Sequence, residues 1–218
     1  MKSVELQTTE TPTASVIWLH GLGADGYDFV PMVKELEALG APPARYVFPH
    51  APEIPVTINN GFVMRAWYDI VGADLARQED GLRIRASATA VEGLIEREAG
   101  RGIARCRVVL AGFSQGGAIT LHAGIRQSAP LAGLIALSTY LPLAHTADAE
   151  RSSASQRVPI LMAHGSGDQV VPLARGAASR DTLRALGFDV RWSEYPMSHS
   201  VCEEEIRSIA AFLKEVLA

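Results

Sequence analysis

Ser114 stands in Gly112-Phe-Ser-Gln-Gly116, a G-x-S-x-G pattern. A serine hydroxyl becomes a useful nucleophile when a base takes its proton and the chain presents it on a sharp turn. The surrounding residues fit such a turn. The apolar run "RVVLA" (107–111) reads as a buried strand, and "AITLHAGI" (118–125) continues as a helix. A strand-to-helix turn holds the hydroxyl out at the end of the strand, and the helix N-terminus behind it offers backbone donors to an oxyanion. The bland alternative is a passive serine in a glycine-rich bend, so the other residues must decide.

A nucleophilic serine needs a base, and the base needs an orienting acid, in the chain order Ser, Asp or Glu, His. Six histidines compete. His20 and His50 precede the serine, His122 falls inside the following helix, and His145 lies in a polar stretch without supporting pattern. His164 directly follows the apolar run "PILMA" and reads as a packing or hydrogen-bonding residue. His199, in "YPMSHS", comes after the last strand pattern and before the final helix, where the base belongs. Asp168 follows "VPILMAHGSG", just past the end of a central strand, and is the candidate acid; Glu194, Asp189 and Asp181 are poorly placed. The glycine-flanked stretch "WLHGLGAD" (18–25) follows the first buried strand. A turn there aims backbone N–H groups at the mouth of the site, so the N–H groups of Leu22 and Gln115 are the expected oxyanion donors. The Gly21-x-Gly23 pair continues into neither G-x-G-x-x-G nor G-K-[ST], so a nucleotide loop has little support.

These residues need elements to hold them. Apolar runs at 15–19, 45–48, 107–111, 133–138 and 159–163 are rich in Val, Ile and Leu without polar alternation, as in strands covered on both faces. Residues 188–195 alternate and suit a strand nearer an edge. Helical stripes fall between them: Phe29, Val33 and Leu36 ahead of Gly40; Ile84, Ala88, Val91 and Ile95 ahead of Gly100; and Cys202, Ile206, Ile209, Leu213 and Val216 at the end. Ser200-Val-Cys-Glu203 predicts a capping box for that last helix. Strands alternating with helices predict an α/β fold with a mostly parallel sheet and helices on both faces. The 218 residues are expected to form a single domain, 1–218. Residues 49–78 read as a long functional loop lining the substrate entrance, with Trp67 and Tyr68 either as acyl contacts or as anchors of the loop to the core. Residues 140–157 are polar and too few to build a cap over the site.

Composition narrows the partners. A net charge of -4 gives no case for nucleic acid or an anionic membrane. The amino-terminal residues lack an apolar signal core, and "SVIWL" is too short to span a bilayer, so a cytoplasmic protein without stable membrane association is expected. Cys106 and Cys202 make neither a disulfide framework nor a zinc site. No metal and no cofactor are expected, and a homodimer is left open.

Taken together, "WLHGLGAD", "AWYDI", "LAGFSQGGA", "ALSTYLP", "HGSGDQVVP" and "YPMSH" resemble the small bacterial carboxylesterases of the phospholipase/carboxylesterase family, whose relatives include eukaryotic acyl-protein thioesterases. The resemblance runs from about Val16 to the last helix. It implies an α/β-hydrolase fold without a large cap, a triad of Ser114, Asp168 and His199, and hydrolysis of small-molecule carboxylic esters, with thioesters or lysophospholipids in some members. Two departures stand out: Arg65-Ala66 where members often carry Pro-Ser, and Ser198-His199-Ser200 where many bacterial members have Gly-His-Glu. The leading expectation is a carboxylesterase for short to medium acyl chains. The alternative is an acyl-protein or acyl-CoA thioesterase, or a lysophospholipase, using the same residues. A remote third reading is an acyl-binding protein without turnover.

Overall fold

The computed structural model describes residues 1–72 and 79–218. Its strands are β1 (Ser3–Gln7), β2 (Ser15–Leu19), β3 (Arg45–Pro49), β4 (Glu53–Val56), β5 (Phe62–Arg65), β6 (Val108–Phe113), β7 (Gly133–Leu137), β8 (Ile160–Gly165) and β9 (Val190–Tyr195). Its α-helices are α1 (Met32–Ala38), α2 (Gly81–Gly100), α3 (Gln115–Gly124), α4 (Ala147–Glu150), α5 (Leu173–Ala185) and α6 (Glu203–Val216). The main sheet runs β1-β3-β2-β6-β7-β8-β9. All neighbours in it are parallel except β1, which pairs antiparallel with β3. This is the α/β-hydrolase arrangement.

Strand residues alternate between two cores because successive side chains leave a strand on opposite faces. In β2, Ile17 and Leu19 join one core with Ile84, Val91 and Ile95 of α2 and Ile119 of α3. Val16 and Trp18 join the other, with Val33 and Leu36 of α1 and Ile209 and Leu213 of α6. Such a leucine or isoleucine contributes about 1.5–3 kcal/mol when fully buried. Unlike the amphipathic α6, α3 is buried all round, packed against the sheet on one side and α2 on the other.

Topology places the site. From β2 the chain moves outward to β3, then returns past β2 to β6 on its other side. The carboxyl ends of β2 and β6 therefore flank a switch point, where α/β sheets open a crevice. The register sets Leu19 opposite Gly112, so the chain leaves β2 after Leu19 close to where it leaves β6 after Phe113.

Four local features differ from the sequence expectations. β1 is an added edge strand, with Val4 and Leu6 only half-buried against the second core. The 49–78 stretch is no open loop over its first half: β4 and β5 pair as a hairpin, turned by Asn60 and Gly61 at φ values of 55° and 74°. Residues 73–78 of that stretch lie outside the described residues. The first helix starts at Met32, after a run of turns from Asp25 to Pro31, and still stops ahead of Gly40, which has φ 79°. The Ser200 capping box does not form: Cys202 is the N-cap of α6, without a side-chain cap bond, and the Ser200 N–H turns back to the Ser198 carbonyl. Between β7 and β8 lie only α4 and two single 3₁₀ turns, so no large cap covers the site. No described helix is long and apolar enough to cross a membrane.

Candidate active site

Ser114 occupies the turn between β6 and α3 with φ 54° and ψ −119°. That conformation is rare for an L-residue and costs about 1–3 kcal/mol, so the surroundings must enforce it. They do so through glycines. A Cβ on Gly112 would sit 2.4 Å from the Gly116 carbonyl carbon, and one on Gly116 would sit 2.2 Å from the Leu19 carbonyl oxygen. The two glycines of the motif thus let the turn fold on itself and press against β2. The Ser114 N–H donates to the Leu137 carbonyl of β7 at 2.8 Å, and its carbonyl accepts from Ala118 and from Thr139 Oγ1.

Asp168 and His199 come from the loops after β8 and β9. His199 Nδ1 lies 2.7 Å from Asp168 Oδ2. The other carboxylate oxygen accepts the N–H groups of Val170 and Val171 at 2.8 and 2.9 Å. The Asp168 side chain is fully buried and these backbone donors set its plane, so Nδ1 of His199 is the protonated nitrogen and Nε2 is the free base. The two loops are tied together by Ser166 N–H to Tyr195 O and Gly167 N–H to Met197 O. His164, read from sequence as a packing residue, donates from Nε2 to the Val171 carbonyl at 2.8 Å and braces the same turn. The His199 ring lies 4.7 Å from Phe113, the residue before Ser114, and Phe113 continues through Phe29 to Trp18 in the core. The imidazole is thereby fixed beside the serine turn.

The β2 loop supplies the facing wall. A Cβ on Gly21 would be 3.6 Å from that of Ser114. His20 is buried, and its Nε2 accepts the Ala51 N–H at 3.1 Å, so Nδ1 carries the proton and donates to the Gly21 carbonyl at 2.7 Å. Burial holds the His20 pKa below its ordinary value and keeps the ring neutral in this role. In a trans peptide the C=O and N–H point opposite ways. Fixing the Gly21 carbonyl therefore turns the Leu22 N–H away from it. Leu22, Ser114 and Gln115 all line one cavity of about 570 Å³. Gln115 opens α3, so its N–H has no intrahelical acceptor.

The two aromatic residues part company. Tyr68 lines the cavity and its hydroxyl bonds that of Tyr140 at 2.9 Å. Trp67 does not line it: the ring is buried, its Nε1 donates to the His20 carbonyl at 2.9 Å, and its N–H donates to Gln115 Oε1 at 2.7 Å. Trp67 thus anchors its loop to the core. The contributions of His20 and the Gln115 side chain were not read from sequence; the only signal was their place beside the two loops that carry the donors.

Comparison with known proteins extends this picture over the whole chain. The family model described as Phospholipase/Carboxylesterase matches residues 3–217. Acyl-protein thioesterase 1 of Gibberella zeae is 40% identical over 214 residues, covering 94% of this chain and 91% of that protein. Acyl-protein thioesterase 1 of Cryptococcus neoformans is 35% identical over 234 residues, covering 100% and 98%. Among solved structures, Arabidopsis thaliana SOBER1 superposes with a TM-score of 0.89 at 29% identity, over 94% of this chain and 99% of that one. Zea mays acyl-protein thioesterase 2 superposes with a TM-score of 0.84 at 28% identity, over 100% and 99%. These curated relatives are fungal thioesterases, so the bacterial carboxylesterases of the sequence reading give way to a broader statement. Sheet order, serine turn and end-to-end sequence similarity agree, and the chain belongs to the phospholipase/carboxylesterase family of α/β hydrolases.

Proposed function

We propose that the chain is a serine hydrolase acting on acyl thioesters, and on carboxylic esters by the same route. This reverses the order of the two leading readings of the sequence, because the relatives at 35–40% identity carry the name acyl-protein thioesterase. In the proposed cycle, His199 Nε2 takes the Ser114 proton as Oγ attacks the acyl carbonyl. Asp168 holds the ring and stabilises the imidazolium. The oxyanion sits against the N–H groups of Leu22 and Gln115. Collapse expels the thiol or alcohol with the proton from His199, leaving an acyl-serine. A water that gives its proton to His199 then releases the acid and restores Ser114. Every step uses side chains, backbone N–H groups and water.

The observation that carries this reading is the Asp168–His199 contact beside a serine held at positive φ. The test measures kcat/KM for a thioester and an ester of one acyl group, together with an S-acylated peptide. Thioester turnover that exceeds ester turnover and vanishes in Ser114→Ala supports the proposal. Turnover of the ester alone restores the carboxylesterase reading, and no turnover of any substrate leaves the binding-protein reading.

A further inference from the structure

The cavity beside Ser114 contains hydrogen-bond donors that find no acceptor among the described residues. Tyr68, Tyr140 and Arg175 share it with Ser114 and Gln115. One proton lies between the two tyrosine oxygens, and the other hydroxyl proton has no further acceptor among the described residues. Burial raises the pKa of both phenols above the ordinary value, so they are neutral donors. The Arg175 guanidinium stacks on the Tyr140 ring at 5.0 Å. Its Nη1 is buried without a hydrogen-bond partner among the described residues, and Glu79 acts on the guanidinium through space without a direct ion pair among them. On the Ser114 side, the half-buried guanidinium and the spare phenol proton are donors, and the complement of such donors is an anionic oxygen. Arginine suits a carboxylate in particular, because its planar fork matches two oxygens.

The surroundings indicate which side the anion occupies. Arg175 and Tyr140 also line a second cavity of about 390 Å³ beyond them, but Glu79 lies there, with its carboxylate against the Leu143 N–H. That negative charge disfavours an anion in the second cavity and directs it to the Ser114 side. The leaving group must stand where His199 can protonate it, and His199 is not part of the lining of the Ser114 cavity. The cavity therefore takes the acyl part.

We propose that Arg175, with Tyr68 and Tyr140, forms a carboxylate subsite for the far end of the acyl group. The preferred substrates are then half-thioesters or half-esters of dicarboxylic acids rather than simple alkanoates. This rests on the Ser114 hydrolase reading and names its acyl specificity.

The experiment measures kcat/KM for phenyl thioesters of adipate, pimelate and suberate against those of hexanoate, heptanoate and octanoate. A second arm moves the carboxylate to the leaving group, comparing hexanoyl thioesters of 4-mercaptobenzoate and thiophenol. Wild-type protein should favour the ω-carboxyl acyl group at one or more lengths by about tenfold or more, and Arg175→Met should remove most of that ratio, with Arg175→Lys in between. Thermal melts confirm that both variants fold, and the ratio within each variant cancels any general loss of activity. Preference for the plain alkanoate at every length overturns the subsite. So does an ω-carboxyl preference that survives Arg175→Met, or one seen only with the carboxylate on the leaving group. In each of those cases, turnover of neutral thioesters that depends on Ser114 leaves the hydrolase reading standing, and its absence removes that reading as well.

Discussion

The side-chain amide of Gln115 grips the backbone at Tyr68. Its Nε2 donates to the Tyr68 carbonyl at 2.7 Å, while its Oε1 accepts the Trp67 N–H at 2.7 Å. One residue thus serves two walls of the cavity. Its main chain begins the helix behind Ser114, and its side chain replaces a missing strand for the loop that carries Tyr68. Both bonds are buried, so neither backbone group has water as an alternative.

Gln115→Ala separates those two tasks, because it keeps the N–H and deletes the amide. Two buried backbone groups lose their partners at about 1–3 kcal/mol each, which gives a destabilisation of about 2–4 kcal/mol after partial relaxation. Urea unfolding measures it. Loss of kcat/KM should accompany it, since the Tyr68 wall of the cavity loosens. A variant as stable as wild type would mean that the loop holds itself.

Substitution of Ser114 tests strain and chemistry together. Ser114→Ala and Ser114→Gly should both abolish thioester and ester turnover apart from residual catalysis by the remaining groups. Their stabilities should differ. Alanine inherits the φ of 54°, whereas glycine adopts it without steric cost. The glycine variant should therefore unfold at higher urea concentration, with an advantage of about 1 kcal/mol over alanine. Equal midpoints would show that the turn stores no strain.

Glu205 sets a pH dependence of stability. It is buried on α6, neither carboxylate oxygen has a hydrogen-bond partner among the described residues, and burial pushes its pKa up to about 8. Below the ordinary glutamate pKa, folded and unfolded chains both hold the proton, and the group costs nothing. As pH rises toward 8, the unfolded chain releases its proton while the folded one retains it, so stability falls. Above 8 the full penalty is expressed, about 3–5 kcal/mol. Glu205→Gln should flatten this slope and be more stable than wild type at pH 9. Parallel urea-midpoint profiles from pH 5 to 9 in the two proteins would contradict a protonated Glu205.

What was legible in the sequence follows from how local each signal is. Strands β2, β6, β7 and β8 are continuous apolar runs that need no partner to be recognised. The serine turn is written in five adjacent residues, and Asp168 and His199 stand where successive strands end. β1 escaped because Val4 and Leu6 alone are a weak alternation, and its pairing with β3 is made across the fold. The cap of α6 was misplaced by two residues because Ser200 has the right chemistry but its backbone turns toward Ser198. The roles of His20, Gln115 and Arg175 depend on neighbours from about 30 to more than 100 positions away in the chain, which no window of sequence contains.

His20 offers the most direct test of the oxyanion assignment, because it touches no substrate. Its proton on Nδ1 fixes the Gly21 carbonyl, and the Ala51 N–H fixes the tautomer. His20→Ala removes the hold on the Gly21–Leu22 peptide and leaves the Ala24 N–H, at 3.3 Å, as the remaining donor to that carbonyl. A peptide free to rotate spends part of its time with the Leu22 N–H turned out of the cavity. Deleting one oxyanion donor outright costs about 10²–10³ in kcat, so partial misorientation should cost about 10–100-fold. The loss should fall on kcat while KM changes little, because the donor acts on the charge that develops in the transition state. His20→Asn, whose amide can still donate to a nearby carbonyl, should recover part of the rate. The variant also loses a buried ring packed 5.4 Å from Trp67, so a merely structural effect would appear as lower stability with kcat/KM lost equally through KM. An unchanged kcat in a folded His20→Ala protein would remove Leu22 from the oxyanion site.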